Sequence, residues 1–278
     1  MTIVAGFRVQ DGVVLCSDTQ YTGGAKIYQR KLFPCAIGTD SYLFGLSGHE
    51  PNGKMAIDEC QDAIEALDPS ERTVRNVKKA LRLAVKPVID EYVLSRPDTE
   101  RDALGFELLV GCWIPAGKAC GHNLFAIRSN GAVNKIDGYE CIGVGSYLGH
   151  YLLRPAFEES LSLDAVMLLA AKVLKSAKSY DASCGGPSAF EVINKDGSYR
   201  QVSYDFYHAE LFLRHYESQA DSLAVFVAPQ NKEDIMFDAK LREFTETIKA
   251  MRGAWKQADR AYNNLVMVGI QLNSPKIS

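Results

Sequence analysis

Strand-type apolar runs in this chain come in three groups, and a pair of helix-type patterns separates each group from the next; this order most constrains the fold. Residues 3–9 and 13–18 are short β-branched runs separated by Gln10, Asp11 and Gly12, the turn chemistry of a tight hairpin. Runs at 28–35 and 42–47 follow, the second ending at Ser47-Gly48, so four strands come first. Met55, Ile57, Ala63, Ile64 and Leu67 then fit an amphipathic helix over 52–67, broken by Asp68-Pro69. Ser70 can cap a second helix reaching about Ser95, with Val77, Leu81, Leu83, Val85, Val88, Ile89 and Val93 as its apolar stripe. Pro87 should bend it and Arg96-Pro97-Asp98 should end it.

Strand patterns return at 105–114 and 121–127, joined by Pro115-Ala116-Gly117, and at 132–136 and 139–143 around Asp137-Gly138. Helical patterns over 147–158 and 163–180 come next, and a hairpin of 190–194 with 199–203 turns at Lys195-Asp196-Gly197. Grouped strands separated by grouped helices predict antiparallel sheets covered by helices, an α+β arrangement, and not an alternating parallel one. After Ser203 the character changes: polar and aromatic residues occupy 204–216, an apolar run spans 223–228, and a helix is predicted over 232–262. There Leu241, Phe244, Ile248, Met251 and Trp255 share one face, suited to packing on the core or on a neighbouring subunit. The expected division is a domain over 1–203 and a mostly helical C-terminal extension over 204–278.

With 278 residues, 47% of them apolar, the chain can bury a substantial core. A net charge of −3 with interspersed signs carries no electrostatic footprint for nucleic acid or an anionic membrane. The opening MTIVAGFRVQDGVV has no basic region followed by a long apolar stretch, and no segment approaches the ~18 apolar residues of a membrane span, so a cytoplasmic protein is expected. Seven cysteines, an odd number without CxxC pairing, argue against disulfides and zinc. The five histidines form no HxH or HExxH pattern, so neither a metal nor another cofactor is expected.

Several short stretches carry a resemblance: Thr2 followed by IVAG and DGVVLCSD, RKLF around Lys31, LFGLSG around Gly45, IGVGS at 142–146 and YDASCGG at 180–186. Together they resemble the β-type proteasome subunits, members of the N-terminal nucleophile hydrolases, over roughly residues 2–203. The resemblance implies a four-layer αββα sandwich of two antiparallel sheets flanked by helices. It implies that Thr2, exposed by removal of Met1, is the nucleophile, that Asp18 orients and Lys31 tunes it, and that the Gly45 N–H forms the oxyanion hole. Asp181 falls at a supporting position and Thr22 at one that pairs with substrate backbone; Ser47 is a further substrate-binding candidate. Val144 and Cys184 occupy positions where most active relatives carry serine. Valine cannot hydrogen-bond the amine, and a thiol is a weak donor.

The chemistry stands beside the resemblance. A threonine hydroxyl is a weak nucleophile that needs a base within hydrogen-bond reach, and a free N-terminal amine, with a pKa of roughly 8 that a nearby ammonium lowers, is such a base. A backbone N–H aimed at the developing oxyanion is worth about 3 kcal/mol of transition-state stabilisation. Glycine at a strand end also marks close backbone approach, and both reasons can hold for Gly45. Cys184 as a second nucleophile lacks a histidine at a suggestive spacing. The implied activity is threonine-type endopeptidase hydrolysis through an ester on Thr2. The alternatives are a related amidase or transpeptidase and a non-catalytic ring or scaffold subunit. Implied partners are a peptide or unfolded-protein substrate, further copies in a ring or related assembly, and an unfoldase.

Overall fold

The computed structural model describes residues 2–23, 25–115, 121–202, 205–227 and 234–272. The chain divides into two compact units, residues 1–206 and 207–278. In the first unit, β1 (Val4–Val9) and β2 (Gly12–Ser17) form the opening hairpin, with Phe7 opposite Val14. A two-stranded ribbon of β3 (Gln20–Gly23) and β4 (Ala25–Tyr28) follows. Next come β5 (Leu32–Ile37) and β6 (Asp40–Gly48), then α1 (Glu50–Glu65), whose first turn is capped by the His49 ring accepting the Asn52 N–H. The helix α2 (Val74–Ile89) is capped by the Thr73 hydroxyl and α3 spans Asp98–Leu104.

After these lie β7 (Phe106–Ile114), β8 (Gly121–Ile127), β9 (Val133–Ile136) and β10 (Tyr139–Ile142). The helices α4 (Ser146–Leu153) and α5 (Leu163–Tyr180) precede a last hairpin of β11 (Ala189–Asn194) and β12 (Tyr199–Gln201). Two five-stranded antiparallel sheets result, in the orders β10-β1-β2-β11-β12 and β5-β6-β7-β8-β9. Their facing sides share Val4, Leu15, Leu32, Leu43, Leu109, Leu124 and Ile142, all fully buried. On the outer side of the second sheet, Phe44, Leu46, Leu108 and Val110 pack with Ile57 and Ile64 of α1 and with Leu81 and Val85 of α2. Alternation along β6 explains the split: Leu43 points between the sheets, whereas Phe44 and Leu46 point to the helices. α4 and α5 pack on β1, β2 and β10 of the first sheet, so the unit is the expected α+β four-layer sandwich.

In the second unit, α6 (Asp205–Val227) and α7 (Asp234–Leu272) bring the Tyr216 and Phe244 rings to 5.6 Å between centroids. Among the described residues, no helix is long and apolar enough to cross a membrane.

The structure departs from the sequence reading at identifiable places. The run expected as one strand over 28–35 is interrupted at Gln29, Arg30 and Lys31, with β4 before it and β5 after it, so six strands and not four precede α1 among the described residues. α2 continues through Pro87 and ends in a π-helical turn over Asp90–Leu94, and α3 begins at the Asp98 that was read as a terminator. α6 runs through the polar and aromatic stretch and the apolar run after it, which the sequence reading leaves without a helix of their own inside the mostly helical extension; Leu213, Tyr216, Ala220 and Leu223 have helical spacing. The connection at 116–120, with Cys120, the strand end at Ser203 and the Trp255 side chain lie outside the described residues.

Candidate active site

The first sheet places Thr2 two residues before β1, 1% exposed, and Asp18 immediately after β2, fully buried. Because the two strands pair antiparallel, with Val4 opposite Ser17, Ile3 comes to lie opposite Asp18 and Thr2 beside it. The Ile3 N–H donates to Asp18 Oδ1 at 3.1 Å, and the Asp18 N–H donates back to Ile3 O at 3.3 Å. The Thr2 hydroxyl donates to the same Asp18 Oδ1.

Lys31 enters from the second sheet, at the residue before β5, and is fully buried. Its Nζ donates to Thr2 Oγ1, to Asp18 Oδ1 at 2.7 Å and to Gln20 O at 2.6 Å. Three acceptors around one nitrogen match the three N–H bonds of an ammonium. The Tyr21 ring lies 4.8 Å from the same nitrogen, adding a cation–π contact. Burial pulls the Lys31 pKa below its ordinary value, and the Asp18 carboxylate opposes that pull. The other Asp18 oxygen, Oδ2, accepts the Gly185 N–H at 3.0 Å. The pair is anchored as well as buried, the condition under which a desolvated ion pair persists.

Cys184 borders this centre. It is 4% exposed, its Sγ lies 3.3 Å from where a side chain on Gly145 would begin, and its thiol pKa is pushed up to about 12. Burial is the largest cause, followed by Asp18 and Asp181. At neutral pH Cys184 is a protonated, weakly donating thiol and not a nucleophile. Asp181 ends α5; its carboxylate accepts the Ser183 N–H at 2.8 Å and its carbonyl accepts the Cys184 N–H at 3.0 Å. Its contacts thus shape the 181–185 turn that delivers Gly185 to Asp18. Val144 is 42% exposed.

Gly45 lies inside β6, opposite Leu32 and Leu109. A Cβ there would stand 2.7 Å from Val4 Cγ1, so close packing of the two sheets by itself requires glycine. Ser47, two residues on, is buried, and its Oγ and the Thr2 carbonyl converge on Gly143. Thr22 sits in β3, and its side chain lies outside the described residues.

The structure therefore brings Thr2, Asp18 and Lys31 into direct contact, places Cys184 and Ser47 alongside, and keeps Asp181 one turn removed. Sequence reasoning missed Gln20, whose carbonyl orients Lys31 and whose amide donates to Ala182 O at 2.9 Å. It also missed Tyr21 and the N–H of Gly185. Main-chain groups leave no trace in residue identity; the paired glycines after Cys184 were the available signal.

The proteasome subunit family matches this chain over residues 2–193. The proteasome subunit beta of Methanococcus maripaludis strain C5 is 31% identical over 202 residues, which cover 70% of this chain and 84% of that protein. Strain C7 of the same organism has a relative with the same figures. Among solved structures, Anbu (ancestral beta-subunit) from Yersinia bercovieri superposes with a TM-score of 0.64 at 19% identity, covering 83% of this chain and 99% of that one. The helical assembly of the Anbu complex from Pseudomonas aeruginosa gives a TM-score of 0.67 at 17% identity, covering 84% and 99%. At such identities the structural likeness speaks to the fold.

Proposed function

The chain belongs to the proteasome subunit family, and on that premise we propose that it is a threonine-type endopeptidase whose nucleophile is the hydroxyl of Thr2, freed at its amine by removal of Met1. The observation that carries the reading is the buried contact of the Thr2 hydroxyl with both members of the Lys31–Asp18 ion pair. In the first step Thr2 Oγ attacks the scissile carbonyl carbon while its proton passes to the α-amine. The tetrahedral intermediate collapses to an ester on Thr2 as that proton moves to the departing amine. Water then attacks the ester, giving up its proton to the α-amine; that proton returns to Thr2 Oγ as the acid leaves.

Asp18 holds the ammonium of Lys31 beside Thr2 Oγ, where its charge favours the alkoxide character of the attacking oxygen and lowers the pKa of the amine. The Gly45 N–H is assigned to the oxyanion, a role that rests on its place in the LFGLSG segment. Thr22 and Ser47 are assigned to substrate, and Asp181 and Cys184 to the support of the turn behind Asp18. The proposed boundary between this hydrolase domain and the helical extension is residue 203.

Association with further copies of the chain is part of the reading, supported by membership of a family of assembled subunits and by likeness to an assembly described as helical. A peptide or unfolded protein is the proposed substrate, an unfoldase a proposed partner and the cytoplasm the proposed location.

Intact-mass measurement before and after a β-lactone or epoxyketone inhibitor tests the reading. The expected result is a starting mass lacking Met1 and a covalent adduct that Thr2→Ala abolishes. A protein retaining Met1, or one that forms no adduct, refutes it and leaves the scaffold alternative. Adding an amine acceptor to a peptide digest separates the transpeptidase alternative, which would yield acceptor-linked products.

A further inference from the structure

The turn over 143–145 presses on the nucleophile. Gly143 has φ +89, and a Cβ on it would fall 2.2 Å from the Thr2 carbonyl oxygen. The Gly145 N–H points at the same oxygen from 3.5 Å, and the Gly143 carbonyl accepts the Ser146 N–H at 3.0 Å where α4 begins. No side chain within the turn fixes it, since its residues are Gly143, Val144 and Gly145.

What fixes it comes from the other sheet. Glu107, on β7 and opposite Ser47 of β6, accepts the Gly143 N–H on Oε2 at 3.4 Å. Its second oxygen, Oε1, accepts from Arg128 Nη1 at 3.3 Å, while Arg128 Nη2 donates to Glu140 Oε2 at 2.7 Å. Glu140 Oε1 in turn accepts the Cys141 N–H at 2.9 Å and stands 2.8 Å from His150 Nε2 on α4. One guanidinium thus spaces two carboxylates, and each carboxylate takes a main-chain N–H on one side of Ile142. The three charged side chains are 27%, 33% and 12% exposed, so the pairs themselves add little stability. Their value lies in where they hold the N–H groups of Cys141 and Gly143.

We infer that Glu107, braced by Arg128 and Glu140, is a positioning residue for the nucleophile: it holds the 143–145 turn against the Thr2 carbonyl and so fixes the Thr2 hydroxyl in its attack position. The inference rests on the proposed role of Thr2. A misplacement of about 1 Å can cost roughly 100-fold in rate, so a shift of a fraction of that is readily measured.

The test uses the full chain, a β-lactone probe, and separate determination of the inactivation rate constant and the reversible affinity, below the melting temperature of every variant. Glu107→Ala is expected to lower the rate constant at least about tenfold while affinity stays within about twofold. Glu107→Gln can keep an amide oxygen for the Gly143 N–H but turns its NH2 toward Arg128 and loses the brace, so its rate constant is expected to fall between those of the wild type and Glu107→Ala. An unchanged rate constant in E107A, equal slowing in E107A and E107Q, or loss of affinity in place of rate overturns the inference. A wild-type protein that never labels is a separate outcome; it overturns the proposed function and this inference with it.

Discussion

Replacing Asp18 by asparagine isolates the energetics of the site from its chemistry. In the folded chain Asp18 is fully buried and takes donors from Thr2 Oγ1, Ile3 N, Lys31 Nζ and Gly185 N. Asparagine preserves size but offers one acceptor oxygen, turns an NH2 group toward existing donors and leaves the Lys31 ammonium without its counter-charge. Breaking a buried pair from one side costs about 3–5 kcal/mol. At about 2–4 °C per kcal/mol for a domain of this size, D18N should melt roughly 6–20 °C lower. Lys31→Met should be costly for the mirror reason, a buried carboxylate without its cation. The double variant removes both charges together, so its cost should fall below the sum of the singles by about 0.5–3 kcal/mol. Calorimetry on the three variants reads all of these. A D18N protein that melts within 2 °C of the wild type, or strict additivity in the cycle, would show that the Lys31–Asp18 pair is not the buried unit described above.

Three further outcomes follow from the same packing. Cys184, with its pKa at about 12 against an ordinary thiol value near 9, should resist iodoacetamide at pH 9 in the folded protein and react once unfolded, as read by peptide mass spectrometry. The sign of its linkage is fixed: between those values the unfolded chain loses the proton first, so this thiol makes stability fall as pH rises. Gly143→Ala should cost at least ~2 kcal/mol in chemical denaturation, because φ +89 and a clash with the Thr2 carbonyl act together, whereas Gly121→Ala, at φ +142 with open space, should cost less. Gly53→Ala inside α1 should destabilise despite alanine's advantage of ~1 kcal/mol in a helix, since its Cβ would meet buried Leu46 Cδ1 at 2.1 Å; a more stable variant would disprove that packing.

The sandwich was legible because its signals are local. The β-branched apolar runs flanking Gln10-Asp11-Gly12 located the first hairpin, and the helical pattern over 163–180 located α5. The meeting of Thr2 with Asp18 follows from that hairpin, since Ile3 and Asp18 face one another just outside its paired ends and Thr2 is the residue next to Ile3. Lys31 could be placed only by resemblance, because it arrives from a different sheet. The β3–β4 ribbon escaped notice since Gln20–Tyr28 mixes polar and aromatic residues without alternation. The Glu107–Gly143 contact is invisible for another reason: a carboxylate on one sheet and an N–H on a turn 36 residues later share no spacing rule.

The slab of aliphatic side chains between the sheets has a consequence for anyone mapping this protein by mutagenesis. Val4 lies two residues from Thr2, Leu32 is next to Lys31 and Ile142 is next to Gly143, and all three are fully buried in that slab. Truncating any of them loosens the strand end that carries its neighbour into the site. In a library scored by turnover these positions will look like reactive groups, although their side chains carry no functional atoms. Only a parallel score for folded yield can tell the two kinds of residue apart.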